Sequence, residues 1–179
     1  MDIFAHALWT NAAARGANAV AEKKNKKLNI NAGWAAFWGV FPDLFAFTIP
    51  AVYTFYRVIF GEIPISSFRD HHTPMAGFNI EHGLYQYSHS LVVWLVVFLI
   101  VWIFYKRPRY ELLGSALHIL IDIPSHILSF FPTPFLFPIS DYRFPYGVDW
   151  SNRWYMVINY TSLVIVWSGI LYKKYFRSK

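Results

Sequence analysis

Residues 89–105 read HSLVVWLVVFLIVWIFY, and no charged residue interrupts this run after His89. A helix of about 20 mostly apolar residues is long enough to cross the hydrocarbon core of a bilayer. A basic turn, KRPR at residues 106–109, ends the run. The stretch is therefore predicted to be a membrane-spanning helix, and it is the clearest such signal in the chain.

The composition of the whole chain supports the same conclusion. Of its 179 residues, 56% are hydrophobic, 21% are aromatic and only 15% are charged, whereas soluble domains carry about 25% charged residues. A soluble aromatic domain is the alternative, but it would have difficulty covering so much apolar surface. The chain is therefore predicted to be an integral membrane protein.

Further helical segments lie on both sides of residues 89–105. Apolar and alanine-rich runs predict helices at residues 3–21, 33–60, 111–131 and 153–172. Segment 3–21 contains several polar residues, so it either spans inside a bundle or lies in the membrane interface. The predicted fold is an all-α, polytopic membrane bundle of about four to five helices, in one integral membrane domain that covers residues 1–179.

The net charge of +6 is distributed in a way that indicates membrane topology. Lysines and arginines cluster at the ends of apolar runs, as expected for cytoplasmic loops, whereas a nucleic-acid surface would gather them on one face. We therefore expect a lipid bilayer and no nucleic acid as the partner. Loop 22–31, turn 106–110 and the C-terminal tail are predicted to be cytoplasmic. Loop 61–88, which has room for a short helix, and loop 132–152 are predicted to lie on the opposite side. The sequence does not predict the oligomeric state.

Ionisable residues inside apolar helices are costly and usually serve function. His118 and Asp122 are four residues apart on one helix face, and His126 follows at the same spacing. Counted from the predicted helix ends, the polar set falls in the outer half of the membrane or at its outer edge, so its members are able to converge. The set consists of His6, Asp43, His89, His118 and Asp122.

Histidines and carboxylates without cysteine suit zinc or another divalent cation. A zinc ion lowers the pKa of a bound water to about 7 and so supplies a nucleophile at neutral pH. The alternative is that the His118–Asp122 pair only holds helices together through a hydrogen bond. His71 and His72 are interpreted as loop residues in water.

The motifs FPD at 41–43, YSHS at 87–90, HILID at 118–122 and PTPFLFP at 132–138 resemble those of the YdjM-like family of membrane-bound metal-dependent hydrolases. The resemblance implies a metal site of His6, Asp43, His89, His118 and Asp122, with Asp122 and His118 as catalytic residues, in a prokaryotic cytoplasmic membrane. The order of the ligands is also similar to that of the zinc-dependent phospholipase C and P1 nuclease group.

The chain departs from the family pattern after Asp43 and before Ser88, where further acidic and histidine residues of the family are missing. One or two ions are therefore expected. The leading hypothesis is a membrane-embedded hydrolase that acts on a phosphoester or lipid-like substrate through a metal-activated water. A small transporter or ion-conducting protein and a non-catalytic metal-binding scaffold are the alternatives.

Overall fold

The computed structural model describes residues 1–65 and 78–176 of the chain. In this part the chain forms six α-helices and no β-sheet, which confirms the predicted all-α class. Loop residues His71 and His72 lie outside the described residues. The helices are α1 (Ile3–Lys23), α2 (Ala32–Ile59), α3 (Phe78–Ser88), α4 (Leu91–Tyr105), α5 (Leu113–Ser125) and α6 (Arg153–Phe176).

Two helices, α2 and α6, are long and apolar enough to cross a membrane. Helices α3 and α4 together make a third candidate span, broken by a bend of 59° between Ser88 and Leu91. Helix α5 has only 13 residues, which is about 20 Å of helix. More than half of its residues are buried, so it forms the centre of a helical membrane bundle.

Capping side chains determine where three of the helices begin. Asp2, Asn31 and Ser90 each accept hydrogen bonds from two backbone N–H groups in the first turn of α1, α2 and α4. Such caps satisfy donors that have no partner inside the helix. The cap at Ser90 also fixes the backbone directly after His89, at the bend between α3 and α4.

Glycines allow α1 and α5 to approach α2 closely. A Cβ atom at Gly39 would overlap the side chain of Thr10, and one at Gly114 would overlap the backbone carbonyl of Ala35. Small residues at such crossings are the usual means of close packing between membrane helices. Helices α1 and α5 therefore both pack on the segment of α2 that carries Asp43.

Prolines act differently in α2 and α5. Pro42 and Pro50 are buried inside α2, and the helix continues through both. Pro124 lies in the last turn of α5, which ends at Ser125.

The prediction of a helix over residues 111–131 was therefore wrong beyond Ser125. His126 adopts extended backbone, with φ −118° and ψ 143°. The carbonyl groups of Pro124 and Ser125 accept hydrogen bonds from the backbone N–H groups of Val148 and Trp150, at 2.8 and 3.0 Å. The returning loop thus supplies the donors that further helical turns would have supplied.

Candidate metal centre

The helices bring the five predicted site residues together in the interior. His6 comes from α1, Asp43 from α2 and His89 from the bend before α4, while His118 and Asp122 come from α5. The three histidines are fully buried, Asp122 is 1% exposed and Asp43 is 14% exposed. Four of the five, all except His6, form a compact group. Each of these four offers one ligand atom, and the four atoms lie within 4.8 Å of one another.

Two imidazoles and two carboxylates form the inner part of this cluster. The Nε2 atoms of His89 and His118 are 3.1 Å apart. Asp122 Oδ2 lies 3.0 Å from His118 Nε2 and 3.6 Å from His89 Nε2. Asp43 Oδ1 lies 3.4 and 3.6 Å from the Nε2 atoms of His89 and His118. Four potential ligand atoms thus surround one small volume.

The outer nitrogens of both histidines are anchored. His118 Nδ1 donates to the backbone carbonyl of Gly39 at 2.7 Å. His89 Nδ1 lies 2.9 Å from Ser88 Oγ, and this hydroxyl in turn donates to the carbonyl of Tyr85 at 3.4 Å. When the rings are neutral, the Gly39 carbonyl puts the proton of His118 on Nδ1 and leaves the lone pair of its Nε2 directed into the cluster. The Ser88 hydroxyl, when it accepts from His89 Nδ1, does the same for His89. Such anchoring is characteristic of histidine ligands to metals.

His6 completes the cluster from the side of α1. Its ring stacks on that of His118, with the centroids 3.6 Å apart, and its Nε2 atom is 3.0 Å from Asp122 Oδ1. The distance is short, but the angle between the two groups does not allow a hydrogen bond. Among the described residues, both ring nitrogens of His6 and Asp122 Oδ2 are buried without a hydrogen-bond partner.

The orphaned carboxylate oxygen indicates that the site fits a cation. A buried polar atom without a partner costs about 1–3 kcal/mol, and an ion among the four inner ligand atoms would satisfy Asp122 Oδ2. Nitrogen and carboxylate oxygen are ligands that zinc accepts, and they also suit other divalent transition metals.

Asp122 also has partners that sequence reasoning missed. The amino group of Met1 lies 2.7 Å from Asp122 Oδ1, and Ser125 Oγ donates to the same oxygen at 3.4 Å. His126 contacts the backbone carbonyl of Asp122 through Nδ1 at 3.1 Å, so its ring lies at the edge of the cluster. His82 is exposed and packs near Phe131, outside the cluster.

A bundle of membrane helices around a buried histidine–aspartate cluster defines a polytopic membrane protein with a candidate metal centre. The sequence model of the YdjM inner membrane protein family matches residues 1–176. The chain therefore belongs to this family, which confirms the resemblance of its motifs. No curated protein and no solved structure gives a match. The similarity to the P1 nuclease group is limited to the order of the ligands.

Proposed function

We propose that this protein is a membrane-embedded, metal-dependent hydrolase that acts on a phosphoester, in a lipid or lipid-like substrate. The observation that supports this most strongly is the pair of anchored histidines, His89 and His118, whose Nε2 atoms meet two carboxylates inside the bundle. A cluster that only linked helices would not need both imidazoles oriented toward a common point.

The proposed ligands are Asp43, His89, His118 and Asp122, with His6 directly beside them. Zinc suits this donor set best, and the geometry of the four inner atoms suits one ion there. When bound, the ion would act as a Lewis acid. It would also lower the pKa of a bound water enough to supply a nucleophile at neutral pH.

The chain's own residues would orient the reaction. Gly39 and Ser88 hold the two imidazoles in place, which limits the reorganisation needed during turnover. Asp43 is the most exposed of the five residues, so the cluster is least covered on its side. In the reaction, the oxygen of water bonds to phosphorus, the P–O bond of the leaving alcohol breaks, and a proton passes to that alcohol.

The test is hydrolysis by the purified protein, loaded with zinc or manganese, of a soluble nitrophenyl phosphodiester and of a phospholipid. We expect metal-dependent turnover that falls by about 100-fold or more in His118→Ala and Asp122→Asn, because both are proposed to hold the ion that activates water. Turnover should persist in His82→Gln and Asp141→Asn, which change the same residue types outside the cluster. Equal turnover in all four variants would contradict the proposal.

A non-catalytic metal-binding protein is the second candidate. The residues after Asp43 are Leu44, Phe45 and Ala46, where the family pattern has a further acidic residue and a histidine. Fewer ligands leave fewer ions to activate water. This candidate predicts stoichiometric metal without turnover on any phosphoester.

A further inference from the structure

A cleft between α1, α5 and α6 lies next to the metal centre and is separate from its ligands. It has a volume of about 530 Å³ and is lined almost entirely by apolar side chains, among them Trp9, Leu117, Ile121 and Val166. Binding sites for small molecules usually occupy about 300–1,000 Å³. Since α6 is a candidate membrane span, we expect the cleft to face the bilayer.

Met1 connects the cleft to the cluster. Its side chain lines the cleft, and its amino group is 2.7 Å from Asp122 Oδ1. Ile121, which directly precedes Asp122 in the sequence, also lines the cleft. A ligand that fills the cleft is therefore separated from Asp122 only by Met1 and the backbone of α5.

One polar atom distinguishes the cleft from a gap between apolar helices. Asn159 lines it and is only 9% exposed. Its Oδ1 accepts a hydrogen bond from Trp9 Nε1 at 2.8 Å, whereas its Nδ2 has no partner among the described residues. An amide donor without a partner is costly in an apolar environment, so the cleft suits a ligand that carries a hydrogen-bond acceptor at the head of an apolar chain.

We infer that the cleft takes one acyl chain of a glycerophospholipid. The Asn159 amide donates to the ester carbonyl of this chain, and the phosphoester of the headgroup is turned toward Asp122. The inference rests on the proposed hydrolase function and narrows its substrate to a membrane phospholipid. Apolar contact alone does not favour a cleft over the surrounding lipid, because both are equally apolar. Selection therefore comes from shape and from the Asn159 hydrogen bond.

Photolabelling tests the occupant directly. The zinc-loaded protein is placed in phosphatidylethanolamine–phosphatidylglycerol vesicles in which some phosphatidylglycerol carries a diazirine on one acyl chain. After irradiation, adducts are mapped by mass spectrometry. We expect adducts concentrated on the cleft residues and lost in Val166→Trp, which fills the cleft. Val164→Trp should retain them, because that side chain is 63% exposed on the outer face of the same helix.

A second pair of variants tests the hydrogen bond. Asn159→Leu combined with Trp9→Phe removes both partners of the Trp9 contact, and Trp9→Phe alone is its control. Loss of one hydrogen bond should reduce cleft labelling about fivefold in the double variant relative to the single variant. Helical circular dichroism reports in each case whether the bundle has remained intact.

The outcomes separate the lipid site from the proposed function. Adducts confined to the cleft and lost in Val166→Trp support the cleft as a lipid site, whether or not phosphoesters are hydrolysed. Adducts spread evenly over outward-facing residues and unchanged by Val166→Trp overturn it, even if the soluble phosphodiester is hydrolysed and the proposed function stands.

Discussion

At the scale of single residues, Asp122 connects the two halves of the metal centre. Its Oδ2 faces His118 and His89, while its Oδ1 faces His6 and the amino group of Met1. A carboxylate buried this deeply is tolerable only when positive charge or donors surround it. The Met1 amino group and His6 surround Oδ1 in this way. A bound metal ion would provide the positive charge for Oδ2.

Ser88 provides a test of the anchoring contacts. Ser88→Ala removes the acceptor for His89 Nδ1, so this ring is held less firmly and its preferred tautomer is less well defined. Loss of such an outer partner typically weakens metal binding about 10–100-fold, and zinc titration of the purified protein measures the change. Ser151→Ala, in the exposed loop before α6, should leave the affinity unchanged. Equal zinc affinity in the two variants would show that Ser88 does not support metal binding.

The pH dependence of metal binding follows from the same ligands. Histidine must be deprotonated to bind a metal, and its ordinary pKa is about 6.5. Protons compete with the metal for these nitrogens, so the apparent affinity for zinc should fall as the pH is lowered from about 7 to about 5. Zinc titration of the purified protein at a series of pH values measures this change. An affinity that does not change over this range would show that histidines are not ligands.

The sequence predicted which residues form the cluster, because ionisable side chains inside apolar helices are conspicuous. It did not predict the anchors. The Gly39 carbonyl, Ser88 and the Met1 amino group take part only because distant segments pack together, and no local pattern marks them. The sequence did not single out Asn159 either, because one amide in an apolar helix is a weak signal.

At the scale of helices, glycines determine how closely α2 and α5 pack. Gly114 brings α5 against the backbone of α2 at Ala35, and Ser115 Oγ donates to the carbonyl of Trp38 at 2.6 Å beside it. This contact positions His118, one turn further along α5, against Gly39. The spacing between the two helices therefore also sets the distance between Asp43 and the α5 ligands.

Gly114→Ala should consequently destabilise the protein. The added methyl overlaps backbone rather than a flexible side chain, and overpacking of this kind costs about 1–3 kcal/mol. Gly169→Ala in α6 is the matched control, because no other packed element of the described residues comes within 4 Å of the point where its Cβ atom would sit, and alanine is favoured in helices by about 0.5–1 kcal/mol. Thermal unfolding in detergent compares the two variants, and equal stability would contradict the packing argument.

Helix positions were predictable where the apolar pattern was long, and less so where packing decided the ends. The predicted segments 3–21, 33–60 and 153–172 correspond closely to α1, α2 and α6. The end of α5 was predicted too late, because the apolar residues after Ser125 belong to a loop that packs back on the bundle. Hydropathy alone does not distinguish these two uses of apolar residues.

At the scale of the whole molecule, the basic clusters support a proposed topology. Loop 22–31, turn 106–110 and the C-terminal tail would face the cytoplasm, because positive charge is retained on that side. The chain directly after α2 and loop 132–152 would then face outward, and the metal centre would open on that side of the membrane.

Single cysteines test this topology cleanly, because the chain contains no cysteine of its own. A membrane-impermeant maleimide should label Ser140→Cys in intact cells with a permeabilised outer membrane. It should label Lys24→Cys only after the inner membrane has been opened. The reverse pattern would invert the topology.

Whether the buried cluster binds a metal ion is measured by elemental analysis of the detergent-purified protein. We predict near-stoichiometric zinc, manganese or iron in the wild type and its loss in Asp43→Asn and in the double variant His118→Ala/Asp122→Asn, with the helical circular dichroism retained. His82→Gln and Asp141→Asn should keep the metal. A wild-type protein that holds no metal, even after reconstitution with divalent ions, would contradict the account.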